Sequence, residues 1–444
     1  MLIVVLILAI AFIVLSTAKF KLHPFLALIL AAIGYGLFSG MPLGDIVKSV
    51  NNGFGNTVGS IGIVIIAGCI IGTFLEKSGG AYVMAKGVMK LTGEKRVPLA
   101  MLLLGYFISI PVYADSAFVI LTPLNKAMSR KAKITLAATA IALGLGLTIT
   151  HCLVPPTPGP ISAAGIMGAD LGLVIVTGVA ASILAVVTAL IFVKKFASKT
   201  YIDPGTDEKE GNVIEEVKKA PSVLKSFIPV VVPLILIVLK SISDFPTAPF
   251  GSGTFKMVIS FIGEPVIALL IGLALSLTLP EKLNREMLSM TGWVGESLTS
   301  AAMIIMITAA GGSFGMVLRD SGIATILGDA LSGFNLGIWL PFIIAAALKT
   351  AQGSSTVAII TTASLIAPLM GVLGFETALA KALAVTSICS GAMVVSHVND
   401  SFFWVVTQMS GMSVKTGCKL HSVGTFFCGL ASMTAVWIMF VLFC

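Results

Sequence analysis

The sequence predicts an all-α polytopic membrane protein of two inverted-topology repeats, each with a re-entrant hairpin and a broken transmembrane helix. Three observations predict it: the composition, a polar linker between two similar halves, and backbone-breaking motifs inside apolar runs. Of the 444 residues, 57% are hydrophobic and 11% charged, with a mean hydropathy of +1.05. A soluble core of that size would need far more polar surface to cover it. Apolar runs long enough to cross ~30 Å of hydrocarbon recur along the chain. The net charge of +8 gives no case for nucleic acid, because the lysines and arginines fall in short loops between spans. The six cysteines show neither metal nor disulfide spacing, and most read as small core residues. The first apolar run, Leu2 to Thr17, lacks a basic leader and a small-residue cleavage site, so it reads as a retained helix.

The one long polar stretch, Lys194 to Ser226, divides the chain into a first repeat (1–193), a cytoplasmic linker (194–226) and a second repeat (227–444). "AGCIIGTFLEKSG" from Ala67 aligns without a gap on "AGGSFGMVLRDSG" from Ala310. "HPFLALILAAIGYGL" from His23 parallels "EPVIALLIGLALSLTL" from Glu264, and His151 falls near His397 at almost the same spacing. Matches in the same order mark an internal repeat.

Each half holds a pair of short apolar runs around a polar tip. The pairs are Val97 to Pro111 with Ala117 to Leu124, and Ile338 to Leu348 with Val357 to Leu369. Their tips are "YADS" (113–116) and "KTAQGSST" (349–356). Neither pair has two arms of ~20 apolar residues, so both read as re-entrant hairpins. Basic residues set the orientation. Lys19, Lys21, Lys86, Lys90, Lys95, Arg96, Lys126, Arg130, Lys131, Lys133, Lys194 and Lys195 fall on one side, which places the N-terminus outside and the linker in the cytoplasm. Lys282, Arg285, Lys415 and Lys419 then fall inside, with Lys256 as an exception, and five full crossings per half make the repeats inverted.

Inverted repeats with interrupted helices are the build of a secondary transporter, whose substrate binds near the midplane where half-helices end. In "ITHCLVPPTPGP" (149–160), Pro155, Pro156, Pro158 and Pro160 remove four amide donors from an apolar run. Irregular backbone survives in lipid only where it lines a cavity. In the second half "SHVNDS" (396–401) supplies polar side chains instead. Two broken helices and two hairpin tips should converge on one polar pocket.

"HCLVPPTPGP", "GGSFGMVLRDSG", "AQGSSTVA" and "SHVNDSFFW" together resemble the gluconate:proton symporter (GntP) family. The likeness runs over nearly the whole chain. It implies a proton-coupled importer of gluconate or a related small hydroxy or amino acid anion in the cell inner membrane, and, by analogy, a homodimer. Family members often read His where this chain has Thr157, which changes a donor in the expected pocket.

Asp115 and Asp400 are carboxylates at membrane depth, where an acid faces a cavity or a partner. They are the expected proton-coupling residues; a structural cap is the plainer alternative. His151 and His397 could relay protons or donate to a substrate hydroxyl, whereas His23 and His421 sit at span ends and read as interfacial. Lys349 could neutralise a substrate carboxylate or simply snorkel. Gln352, Gly353, Ser354, Ser355 and Thr356 form the best anion site, with small residues and the amides of the following half-helix. Asn399 is placed to read a hydroxyl. Thr157 joins them as a pocket residue, and the Gly68/Gly72 and Gly311/Gly315 pairs read as packing devices.

Other classes fit less well. There is no HExxH and no close carboxylate pair on neighbouring spans for an enzyme, and no metal or other cofactor is called for. A channel needs a continuous polar stripe. Sodium coupling stays open, because unwound carbonyls with Ser, Thr and Asn can hold Na⁺.

Overall fold

The computed structural model describes residues 2–84, 87, 96–110, 112–205, 220–244, 249–323 and 336–444. Lys86, Lys90 and Lys95, Pro111, the linker core (206–219) and the segment 324–335 lie outside the described residues. The chain is all-helical where described, and six helices are long and apolar enough to cross a membrane, or seven if one bent pair counts as a span.

In the first half the helices are α1 (Leu2–Ala18), α2 (Pro24–Phe38), α3 (Leu43–Lys77), α4 (Val97–Ile108), α5 (Ala114–Lys131), α6 (Leu136–Leu153), α7 (Pro158–Met167) and α8 (Leu171–Lys195). In the second they are α9 (Val223–Ser243), α10 (Thr254–Ile262), α11 (Pro265–Ser276), α12 (Trp293–Asp320), α13 (Trp339–Gln352), α14 (Ser355–Ile366), α15 (Ala378–Gly391), α16 (Ser401–Met409) and α17 (Val423–Phe443). The order from α2 to α8 (span, span, short pair, interrupted pair, span) recurs from α11 to α17. One element was not expected: α10 precedes α11 at an angle of 66°. Pro265 at the start of α11 lacks an amide and stops the two from continuing as one helix.

Local sequence sets the boundaries. Polar side chains cap the starts: His23 accepts from the Phe25 amide, Thr135 from Ala137, Asp170 from Leu173 and Thr377 from Ala380. His23 is exposed at its span end, as expected. Of the short arms, α4 and α14 have 12 residues each, or about 18 Å at ~1.5 Å per residue, too short to cross. α5 runs on to Lys131, further than the apolar run implied, and its last turns are polar.

α3 and α12, which occupy the same place in the two halves, pack antiparallel along their length. Ser49 donates to Asp320 at one end (2.6 Å), Ser313 donates to the Val50 carbonyl (2.8 Å), and Lys77 pairs with Glu296 at the other end. α6 is the innermost helix: every residue from Leu136 to Leu153 is buried except His151. One large apolar core joins both halves around it, and a small separate cluster holds Ile175, Ile237 and Ala268. Cys69, Cys152, Cys389 and Cys428 are buried in that core, while Cys418 is half-buried and Cys444 exposed.

Candidate functional site

The two hairpins and the two helix breaks do meet. α13 and α14 are joined by Gly353 and Ser354 alone, so the second tip is tighter than the predicted 349–356 run; Lys349 and Gln352 still belong to α13. Gly353 has φ +89°, and a Cβ there would run into the Asn399 backbone. Ser354 caps α14 by accepting from the Val357 amide at 3.3 Å. The amides of Ser355 and Thr356 at the start of α14 have no carbonyl within the helix to bond, and they carry the positive end of its dipole.

The break between α15 and α16 is locked onto this tip. His397 Nε2 and Asn399 Nδ2 both donate to the Thr350 carbonyl at 2.9 Å, using an acceptor that the end of α13 leaves free. Asp400 caps α16 through Oδ1, which accepts from the Phe402 amide at 3.1 Å. Its Oδ2 accepts from Ser396 Oγ at 2.5 Å and from Lys349 Nζ at 2.6 Å. Lys349 is 1% exposed and also donates to the Gly353 carbonyl. A buried cation needs such a set of acceptors to offset its desolvation.

The first tip is held by different contacts. Tyr113 OH and Cys69 Sγ lie 2.9 Å apart, tying the tip to α3. Phe118 of α5 meets Phe402 of α16 edge to face, with centroids 6.0 Å apart. This presents Asp115, exposed in the first turn of α5, to the shared space. The last turns of α6, just before its break, contribute His151 and Thr148.

These elements enclose a cavity of about 400 Å³, within the range of small-ligand pockets. Of the predicted residues, Asp115, His151, Gln352, Gly353, Ser354, Ser355, Thr356, Asn399 and Asp400 all line it. Three do not. Lys349 is turned away into its pair with Asp400, and His397 is spent on the Thr350 carbonyl. Thr157 donates to the Val154 carbonyl at 2.7 Å and faces a separate small space beside Gly68 and Tyr113.

Three polar atoms of lining residues are buried without a partner among the described residues: Gln352 Nε2, His151 Nδ1 and Asn399 Oδ1. Buried polar groups are nearly always satisfied, so their clustering here singles out a site for a polar ligand. Opposite them, Met303, Ile304 and Ile307 of α12 form an apolar wall.

Sequence reasoning missed the wall, Thr148, Tyr113 and Ser401, all of which line the cavity or its neighbour. Ser401 and Tyr113 stood inside the two quoted motifs, whereas nothing in an apolar run marks which face will meet a cavity. The reading of His421 as interfacial is corrected: it is 0% exposed, on a π turn (Cys418–Ser422) leading into α17, with its ring centroid 5.6 Å from that of Phe402. Its ring packs against Phe402 and Phe403 of α16, a tertiary contact that a reading of span ends does not show.

Comparison with known proteins places the chain among membrane permeases. A Haemophilus influenzae uncharacterised permease is 36% identical over 95% of this chain and 88% of its own. A Pseudomonas aeruginosa gluconate permease is 35% identical over 90% and 89%, and the Escherichia coli D-serine transporter DsdX 30% identical over 98% and 97%. The crystal structure of the Alcanivorax borkumensis YdaH transporter, described as having an unusual topology, matches in fold with a TM-score of 0.68. It covers 95% of this chain and 99% of that one at 13% identity. The GntP family permease model matches residues 1–442, and the chain belongs to that family of membrane permeases.

Proposed function

We propose that this protein is a secondary active transporter of the inner membrane, importing gluconate or a related small hydroxy or amino acid anion by proton symport. The observation that carries the reading is the central cavity. There the first-turn amides of α14 meet a membrane-depth carboxylate and the unpartnered atoms of Gln352, His151 and Asn399. Amides and the helix dipole suit a carboxylate. The unpartnered donor and acceptor suit hydroxyl or amino groups on the same small molecule. Relatives named as a gluconate permease and a D-serine transporter support that substrate class.

In this reading Gln352, Gly353, Ser354, Ser355 and Thr356 receive the carboxylate, and His151 and Asn399 Oδ1 address the rest of the substrate. Asp115 exchanges the coupling proton, since Asp400 is already engaged by Lys349 and Ser396. Lys349 supports the site through Asp400 rather than touching substrate. The units 1–193 and 227–444 act as inverted repeats, for which the antiparallel packing of α3 and α12 is the best support. A homodimer is proposed from family likeness alone.

Sodium coupling is the rival. Uptake of labelled gluconate into sodium-free vesicles, driven by an imposed inside-alkaline pH gradient, decides between them. Accumulation that needs added Na⁺ and ignores the pH gradient would reject the proton reading. For topology, a cysteine at Ser198, on a background without native cysteines, should react with impermeant thiol reagents only from the cytoplasmic side.

A further inference from the structure

A second cavity, also about 400 Å³, lies between α3, α7, α12 and the residues that follow α14. Asn56, Thr57 and Ser60 give it one polar wall, and Arg319 is its one charged lining residue. Arg319 is exposed and makes no salt bridge among the described residues. Its neighbour Asp320 is taken by Ser49 at 2.6 Å.

The two cavities are stacked along the same helices. On α12, Met303, Ile304 and Ile307 face the central cavity, and Gly312, Gly315 and Arg319 face the second one. α14 starts in the central cavity at Ser355 and leads to Ala367 and Pro368 in the second. α7 starts beside His151 and ends at Gly165–Gly168 in the second cavity. The partition from Ile307 to Gly312 is about 7–8 Å thick at ~1.5 Å per residue.

That partition is thin, close-packed and polar. A Cβ on Gly311 would stand 2.7 Å from both Ile360 Cγ2 and Ser364 Oγ. Ser162 Oγ and Thr308 Oγ1 are 3.0 Å apart. The Thr361 and Thr362 hydroxyls are buried without a partner among the described residues. These hydroxyls belong to α7, α12 and α14, the helices that reach from one cavity to the other.

We propose that the second cavity is a capture site for the substrate carboxylate, anchored by Arg319, on the face of the membrane opposite Lys77, and that the Ser162–Thr308 contact closes the passage from it to the central site. By the distribution of basic residues this is the outer face. The proposal rests on the reading of the substrate as a small organic anion. A lone guanidinium in a concave, low-dielectric mouth raises the local anion concentration, and salt screens the effect.

Two measurements test it. With labelled gluconate outside and low salt, R319Q should raise KM by about ten-fold, within the range of such steering, while R319K stays near wild type. Added salt should bring the wild-type KM toward that of R319Q. Second, a cysteine at Ser60, on a background lacking the native cysteines, is treated from outside with sulfonatoethyl and trimethylammonioethyl methanethiosulfonate. The anionic reagent should be favoured, and the preference should collapse in S60C/R319Q. An unchanged KM in R319Q, an unchanged reagent ratio, or labelling only from the cytoplasmic side would each overturn the capture site. If the wild type takes up neither gluconate nor D-serine, the substrate reading fails, and the reagent ratio still decides the role of Arg319.

Discussion

Lys349 Nζ sits 2.6 Å from Asp400 Oδ2 in the interior, joining the end of one half of a hairpin to the start of half of a broken helix. The pair fixes how the tip of α13 and α14 meets α16. Removing one partner leaves the other as an uncompensated buried charge, at a cost of ~3–5 kcal/mol. K349A and D400A should therefore each lower the melting temperature of the purified protein sharply. The double variant K349Q/D400N, which leaves no charge, should melt above both. A D400A protein as stable as wild type would show that the pair does not hold the site together.

Gly353 carries a second, independent constraint on the same tip. Its φ of +89° and its closeness to the Asn399 backbone leave no room for a side chain. G353A should cost ~1–3 kcal/mol in backbone strain and abolish the thermal shift that gluconate produces in wild type. Retention of that shift in G353A would mean the tip geometry is not needed for binding.

The helical class and the breaks were legible in the sequence, because these depend on apolar length and on proline, which act locally. It also brought most of the site together: "AQGSST" and "SHVNDS" both reach the cavity, since polar residues in an apolar run have few other places to go. What it could not carry was pairing. Lys349 and Asp400 each look like free charges in one dimension, and only the packing of α13 against the α15–α16 break makes them partners. His397 and Thr157 were drawn in by the same logic and turn out to satisfy local carbonyls. The α10–α11 bend and the buried His421 were hidden because both depend on tertiary packing.

Ser355 tests recognition without touching the tip's covalent geometry. It lies in the first turn of α14 and lines the cavity. S355A should weaken gluconate binding by ~1–3 kcal/mol, the worth of one polar partner in a buried site, with expression and melting temperature close to wild type. Isothermal titration of both proteins reads the difference directly. Equal affinities would remove the start of α14 from the binding site. N399A is a contrasting control: Asn399 also holds the Thr350 carbonyl, so this change should reduce stability as well as affinity.

Asp115 is the other carboxylate lining the cavity, and among the described residues it makes no salt bridge. It lies in the first turn of α5, at a tip anchored by Tyr113 to α3 and by Phe118 to α16. A carrier that couples to protons must let one acid bind a proton before the loaded form reorients, and release it on the other side. An amide imitates the protonated acid permanently. D115N should therefore lose accumulation of substrate in response to a pH gradient while still exchanging labelled for unlabelled substrate across the membrane. Loss of both activities would place Asp115 in substrate binding or in holding the tip. Accumulation by D115N at the wild-type level would remove it from coupling and leave His151, the other titratable group in the cavity with an unpartnered ring nitrogen, as the residue to test next.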